Sequence, residues 1–236
     1  MPAAILAGGM ATRLRSLTET TPKALIEVNA KPFLWHQLQL LKHNGIHQIV
    51  LLVGHLGEKI QERFADGSEL GLKIKYSFDG PTLLGTAGAI RHALPMLPPR
   101  FFVLYGDSYL TCDYRAVEAA FIKSGCAGLM TIFRNEGMYD NSNVELDGVR
   151  IVRYDKVHRT SAMQHIDYGL GVFDRSVFAA IPEGEKRDLA TVYQDLLKSR
   201  QLAAYEVHER FYEIGSSRGL HETSEFLASR KQSASD

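Results

Sequence analysis

Cysteine, tryptophan, net charge and long apolar runs are all scarce in this chain, and each shortage excludes something. The 236 residues hold two cysteines, Cys112 and Cys126, without the paired spacing of a metal knuckle. Two lone thiols fit a reducing cytoplasm better than a disulfide framework. The 27 basic and 27 acidic side chains cancel when the nine histidines are neutral. No general basic excess is left to displace counterions from nucleic acid. No apolar run approaches the roughly 18 residues of a membrane span. The opening Met-Pro-Ala-Ala-Ile-Leu-Ala lacks the charged n-region of a signal peptide. The histidines are scattered and offer zinc no His/Cys ligand set. The single tryptophan, Trp35, falls on a helical face and reads as core or interface. Internal repeats and low-complexity linkers are also missing, so the expectation is one domain over residues 1–230 with a polar tail at 231–236 in a cytoplasmic protein.

What is present is a chain that is 45% apolar and 23% charged, the proportions of a globular protein. Short apolar runs at 3–7, 48–53, 72–78, 101–105 and 127–133 read as strands. Between them, 33–42, 58–64, 87–94 and 114–123 read as helices; Leu34, Leu38 and Leu41 give the first an apolar face. Near-continuous apolar strands alternating with helices predict an α/β fold, a Rossmann-like three-layer αβα sandwich with a mostly parallel central sheet. The second half is less regular. Strands are expected at 149–154, 166–173 and 202–207, several of them antiparallel, with helices at 188–199, capped by Asp188, and 219–230. In such folds ligands meet the carboxyl ends of the strands.

The first strand ends in Leu6-Ala-Gly-Gly-Met-Ala-Thr-Arg-Leu-Arg15, followed by Thr21-Pro-Lys-Ala-Leu25. Gly8 and Gly9 let backbone N–H groups approach an anion. Thr12 offers a hydroxyl, Arg13 a planar charged fork, and Lys23 a second cation behind Pro22. A triphosphate needs such cations on a short loop. No Gly-Lys-Ser/Thr follows, so this is not a Walker loop, and the third glycine of the dinucleotide fingerprint is missing.

These residues resemble the opening Gly-Gly-x-Gly-Thr-Arg-Leu…Pro-Lys of the sugar-1-phosphate nucleotidylyltransferases, with Ala11 in place of one glycine and Ala24 where many members have proline. The resemblance runs over residues 3–220 and implies the nucleotide-diphospho-sugar transferase type of fold. It places the nucleotide on Leu6, Ala7, Gly8, Gly9, Thr12 and Arg13. The Leu84-Gly-Thr-Ala segment, through Gly85, Thr86 and Ala87, would meet the base and sugar. Phe101-Phe-Val-Leu-Tyr-Gly-Asp delivers Asp107 at the end of an apolar strand, where the family holds Mg²⁺; capping of a following helix is the alternative. Phe211-Tyr-Glu-Ile-Gly-Ser resembles a late Asp-Ile-Gly segment, so Glu213 becomes the second metal ligand with one methylene more than the usual aspartate. Asn143, Glu145 and Lys156 match a stretch that meets the sugar phosphate, and Asp167 and Gly169 match the place of the sugar hydroxyls. A strand-end solvent lysine remains open for Lys156, and backbone capping for Asp167.

The late segments are most similar to the short D-glycero-α-D-manno-heptose 1-phosphate guanylyltransferases. The implied partners are therefore a nucleoside triphosphate, GTP favoured, and a sugar 1-phosphate, heptose favoured, with Mg²⁺ as cofactor. Arg13, Lys23 and Asp107 would be the catalytic set. Neither nucleic acid nor membrane is expected as a partner, and self-association stays open. Uridylyl or cytidylyl transfer to another sugar or alcohol phosphate is a competing reading. A metal-dependent glycosyltransferase would show Asp-x-Asp, which Asp107-Ser-Tyr lacks. A silent nucleotide-sugar-sensing subunit should have lost Arg13, Lys23 or Asp107, and all are present.

Overall fold

Strands apolar at successive positions must be covered on both faces. The computed structural model, which describes residues 1–9 and 21–232, shows how this chain does it. In chain order, β1 (Ala3–Leu6) is followed by a small hairpin of β2 (Glu27–Val28) and β3 (Lys31–Pro32), then α1 (Phe33–His43), β4 (Gln48–Val53), α2 (Gly57–Phe64) and β5 (Lys73–Phe78). Next come α3 (Gly85–Ala93), β6 (Arg100–Tyr105), β7 (Ser108–Leu110), α4 (Tyr114–Ser124), β8 (Gly128–Arg134), β9 (Val144–Asp147) and β10 (Arg150–Tyr154). The last third holds β11 (His165–Asp174), α5 (Ser176–Ala179), α6 (Leu189–Lys198), β12 (Leu202–Val207), β13 (Phe211–Glu213) and α7 (Ser217–Gln232).

Successive side chains of the central strands go to opposite cores. Ala3, Ile5, Leu51, Val53, Phe102 and Leu104 join one cluster with Leu34 and Leu38 of α1, Ile60 of α2 and Val117 of α4. Ala4, Val50, Leu52 and Val103 join the other with Ile90 of α3, Phe178 of α5 and Val192 of α6. That division is the three-layer sandwich. β5, β4, β1 and β6 run parallel, so their carboxyl ends share one edge of the sheet. β11 is antiparallel to both β6 and β8, and β12 runs parallel to β8.

The expected strands and helices are present, with shifted ends. The run at 149–154 is one arm of the β9–β10 hairpin. The last helix begins at Ser217, two residues before the expected start, because Gly219 N–H donates to the Ser216 hydroxyl (2.9 Å). Asp188 caps α6 as expected, accepting from Ala190 N–H at 2.7 Å. β7 and β13 were not expected as strands. They are three residues each and pair antiparallel outside the main sheet, with Glu213 opposite Ser108. A third small core of Ile26, Val28, Tyr109, Ile214 and Leu227 packs this annex.

One irregularity serves the site. β11 pairs with β6 from Leu170 onward, and its register against β8 shifts between Asp167 and Gly171. Gly169 lies inside that bulge at φ +101°, a conformation few side chains accept.

Candidate active site

Two cavities open at the carboxyl edge of the parallel strands. The smaller, about 240 Å³, lies over β1, β4, β5 and β6. Leu6, Ala7, Gly8 and Gly9 form one wall, with Leu83, Gly85 and Thr86 among the residues facing them. Seven of the fifteen lining residues are glycine or alanine. Gly85 has φ +71°, and a Cβ built there would lie 2.7 Å from the Arg187 carbonyl oxygen. The Thr86 hydroxyl accepts from Leu189 N–H (2.6 Å), tying the segment to the start of α6. Ala87 is fully buried in the core on that side, and its N–H donates to the Arg187 carbonyl, so it supports the wall from behind. Asp79, not singled out from sequence, also faces this cavity and accepts from Leu84 N–H (3.2 Å). Burial raises its pKa, with the Leu84 hydrogen bond and His92 opposing. Thr12 and Arg13 lie outside the described residues.

The larger cavity, about 670 Å³, is walled by side chains from distant parts of the chain. Asn143, Lys156, Asp167 and Gly169 face it, and Glu145 does not; Glu145 sits opposite Arg153 in the β9–β10 hairpin. Lys156 is exposed and lines the cavity. Its Nζ lies 3.3 Å from the Tyr105 hydroxyl and 5.2 Å from the Tyr105 ring centroid. Burial disfavours the Lys156 charge, but Tyr105, Asp167 and Asp188 outweigh it and raise the pKa, so the lysine stays charged. Asp167 accepts from the Tyr154 hydroxyl (3.1 Å) and from Gly169 N–H (3.1 Å), while its own N–H donates to Asn143 Oδ1 (2.9 Å). Local donors orient that carboxylate at the cavity wall. Sequence reading also missed Tyr139, Arg159 and Arg210 there. Arg210 stacks 4.1 Å from the Tyr139 ring and pairs with Glu222.

The cavities share three residues, Lys23, Tyr105 and Asp107. Lys23 Nζ donates to Asp107 Oδ2 at 2.7 Å. Lys23 is 17% exposed and Asp107 38%, so the pair is shielded on the lysine side and open on the carboxylate side, where a ligand can reach it. Asp107 is followed by strand β7, which removes the helix-cap alternative. Its turn is held from below by Gln37 of α1, whose Nε2 donates to the carbonyls of Tyr105 (3.0 Å) and Ser108 (2.6 Å), and from beside by Ile214 N–H donating to the Asp107 carbonyl (3.0 Å). Gln37 is 2% exposed and gave no sequence signal, since a lone glutamine on an apolar helix face has many uses.

Glu213 also faces the larger cavity. It accepts from Gly215 N–H and from the Ser216 hydroxyl (2.6 Å). A Cβ built on Gly215 would lie 2.7 Å from Glu213 Oε2, 3.0 Å from Lys23 Nζ and 3.7 Å from Asp107 Oδ2, so the three charged groups surround one bare Cα. Two carboxylates beside an open cavity suit a small hard cation that keeps waters and takes phosphate oxygens. Among the described residues no group of three or more His, Cys, Asp and Glu is placed to hold a metal ion. None of the described helices is long and apolar enough to cross a membrane.

Comparison with known proteins agrees with this geometry. The model of the nucleotidyl transferase family matches residues 2–230. The chain is 31% identical to the D-glycero-alpha-D-manno-heptose 1-phosphate guanylyltransferase of Campylobacter jejuni, over 91% of this chain and 95% of that protein. It is also 31% identical to the UTP–glucose-1-phosphate uridylyltransferase of Synechocystis, over 80% of this chain and 53% of the relative; the chain spans about half of that longer protein. In fold it matches a glucose-1-phosphate thymidylyltransferase structure from Bacillus anthracis (TM-score 0.85, 20% identity, 96% and 94% of the two chains). It also matches HddC from Yersinia pseudotuberculosis complexed with GMP-PN (TM-score 0.78, 21% identity, 96% and 99%). With a family model matched over nearly its whole length, and the paired cavities above, this chain belongs to the nucleotidyl transferase family.

Proposed function

We propose that the chain transfers a nucleotidyl group from a nucleoside triphosphate to a sugar 1-phosphate, giving a nucleotide sugar and pyrophosphate, with GTP and a heptose 1-phosphate as the favoured pair. The observation that carries the reading is the junction: a smaller cavity lined by many small residues and a larger polar cavity meet at Lys23, Tyr105 and Asp107. A reaction joining two substrates at one phosphorus needs that arrangement. The guanylyl and heptose preference is supported by the Campylobacter relative, which this chain matches nearly end to end.

The attacking group, a sugar-phosphate oxygen, is already ionised near neutrality, so no side chain has to remove a proton. It adds to the α-phosphorus as the bond to the pyrophosphate oxygen breaks, and catalysis consists of alignment and charge neutralisation. Lys23 offsets repulsion where the two anions meet. Lys156, whose pKa the neighbouring Tyr105 and Asp167 raise against the effect of burial, holds the sugar phosphate. Asp167 and Asn143 receive the sugar hydroxyls. The main chain at Gly8 and Gly9 carries the nucleotide, with Arg13 and Thr12 on its phosphates. Asp107 and Glu213 would hold a Mg²⁺ ion, the divalent cation class general in the family, which supplies charge neutralisation at the phosphates.

The test is pyrophosphate release with Mg²⁺, crossing GTP, UTP and CTP against heptose, mannose and glucose 1-phosphates, with EDTA as control. Release confined to GTP with heptose 1-phosphate, and lost with EDTA, supports the full reading. Preference for UTP with glucose 1-phosphate would replace the substrate pair with that named for the Synechocystis relative. Nucleotide binding without release for any pair would favour a sensing subunit.

A further inference from the structure

Glycine is a poor helix residue, worse than every type but proline. Gly219 nevertheless stands in the first turn of α7, and its backbone is not left-handed, so its conformation does not ask for glycine. Its surroundings do. A Cβ built on Gly219 would fall inside the Glu213 carboxylate, and 2.7 Å from the Glu213 carbonyl oxygen. The reason lies in the length of Glu213. Its Cα is fixed by β13, with Glu213 opposite Ser108 and with Ile214 N–H bonded to the Asp107 carbonyl. From there the side chain folds toward the start of α7, and Gly215 N–H and the Ser216 hydroxyl, just before the helix, hold its two oxygens. The Ser216 hydroxyl is itself held by Gly219 N–H (2.9 Å). Thr223 closes the ring, its hydroxyl lying 2.9 Å from the Glu213 carbonyl and 2.7 Å from the Gly219 carbonyl.

We propose that Gly219 is a positioning residue for the cation site: the space left by its missing side chain is the berth that lets a glutamate present its carboxylate beside Asp107. The inference rests on the reading of Glu213 as a cation ligand. Its steric half stands separately, because the shortest contacts of a Cβ at 219 are with the Glu213 carboxylate, whose position depends on side-chain length. Shortening residue 213 by one methylene should relieve most of a methyl group added at 219. The nearby carbonyl leaves a residual penalty, so the relief is partial.

The experiment is a double-mutant cycle of Gly219→Ala and Glu213→Asp, with Glu213→Ala as a reference. Thermal melting and Mn²⁺ binding by the nucleotide-loaded protein, followed by water-proton relaxation, are the readouts. Gly219→Ala alone is expected to lower the melting temperature by about 5 °C and to weaken Mn²⁺ binding roughly tenfold. In the Glu213→Asp background the same change should cost less than half as much in both. Equal penalties in the two backgrounds would overturn the berth, as would a double variant that fails to fold where Glu213→Asp folds. Mn²⁺ binding that is the same in the wild type and Glu213→Ala would overturn the ligand reading, and with it the positioning role.

Discussion

The smaller cavity, where we place the nucleotide, is lined to a large extent by small residues, among them Ala7, Gly8 and Gly9 after β1 and Gly85 at the start of α3. The larger cavity, proposed for the sugar phosphate, is lined mostly by polar and aromatic residues, with Lys156, Asp167, Tyr139 and Arg210 coming from separate strands and loops. Small residues leave main-chain N–H and C=O groups open to a ligand, and those groups suit the phosphates and sugar that every nucleoside triphosphate shares. Side-chain walls can be changed one residue at a time, which suits the part that distinguishes sugars. Between them, Lys23 and Asp107 belong to both cavities and so to neither specificity.

The largest effect is expected at this junction. Asp107→Asn keeps size and removes the charge, and kcat should fall about 10²–10³-fold. Stability should change by less than about 1 kcal/mol, because a half-open ion pair contributes little. Turnover within about threefold of wild type would detach Asp107 from the chemistry. Gly85→Ala tests the small-residue side. With φ at +71° and the Arg187 carbonyl 2.7 Å from the new Cβ, it should cost about 2 kcal/mol, or roughly 4–8 °C in melting temperature. It should weaken nucleotide binding more than sugar-phosphate binding. A neutral Gly85→Ala would show that the wall yields, and the contrast between the two sides would fail. Lys156→Ala tests the other side: the KM for sugar phosphate should rise roughly 10–100-fold, the worth of a charged hydrogen bond. The nucleotide KM should hold, and equal changes in both would move Lys156 to the junction.

The same contrast explains what could be read from sequence. A wall of contiguous small residues writes a short motif, so Gly8, Gly9 and Gly85 are visible without coordinates. Lys23 and Asp107 are visible because each closes such a motif. The two-core sandwich was legible from the unbroken apolar runs of β4 and β6. Convergence of side chains from remote elements writes no motif, and so Tyr139, Arg210 and Gln37 were missed. Glu145 was expected at the sugar phosphate because it lies in the matching stretch, yet it sits further along the β9–β10 hairpin, opposite Arg153, and does not line the cavity. β7 and β13 are too short to show a period, although Asp107 directly precedes β7 and Glu213 ends β13. Neither Gly215 nor Gly219 could announce itself, since what each makes room for is an acidic side chain placed by another element.

The smallest effect sharpens the contrast most, because it concerns orientation alone. Tyr154 is 2% exposed, and its hydroxyl donates to Asp167 Oδ2 at 3.1 Å. Burial raises its pKa far beyond the ordinary phenol range, and the neighbouring Asp167 charge adds to the shift. A raised phenol pKa means the proton is retained, so Tyr154 remains a donor throughout the range in which the enzyme would be assayed. Tyr154→Phe removes one hydrogen bond to a carboxylate and nothing else from the cavity. It should raise the sugar-phosphate KM about fivefold, on the order of 1 kcal/mol, with the nucleotide KM unchanged. The ratio of mutant to wild-type KM should be flat between about pH 6 and 9, since neither side of the comparison gains or loses a tyrosine proton there. A ratio that changes across that interval would mean the hydroxyl titrates, and that Asp167 is oriented by some other donor. A change in the nucleotide KM would mean that the side-chain wall reaches across the junction.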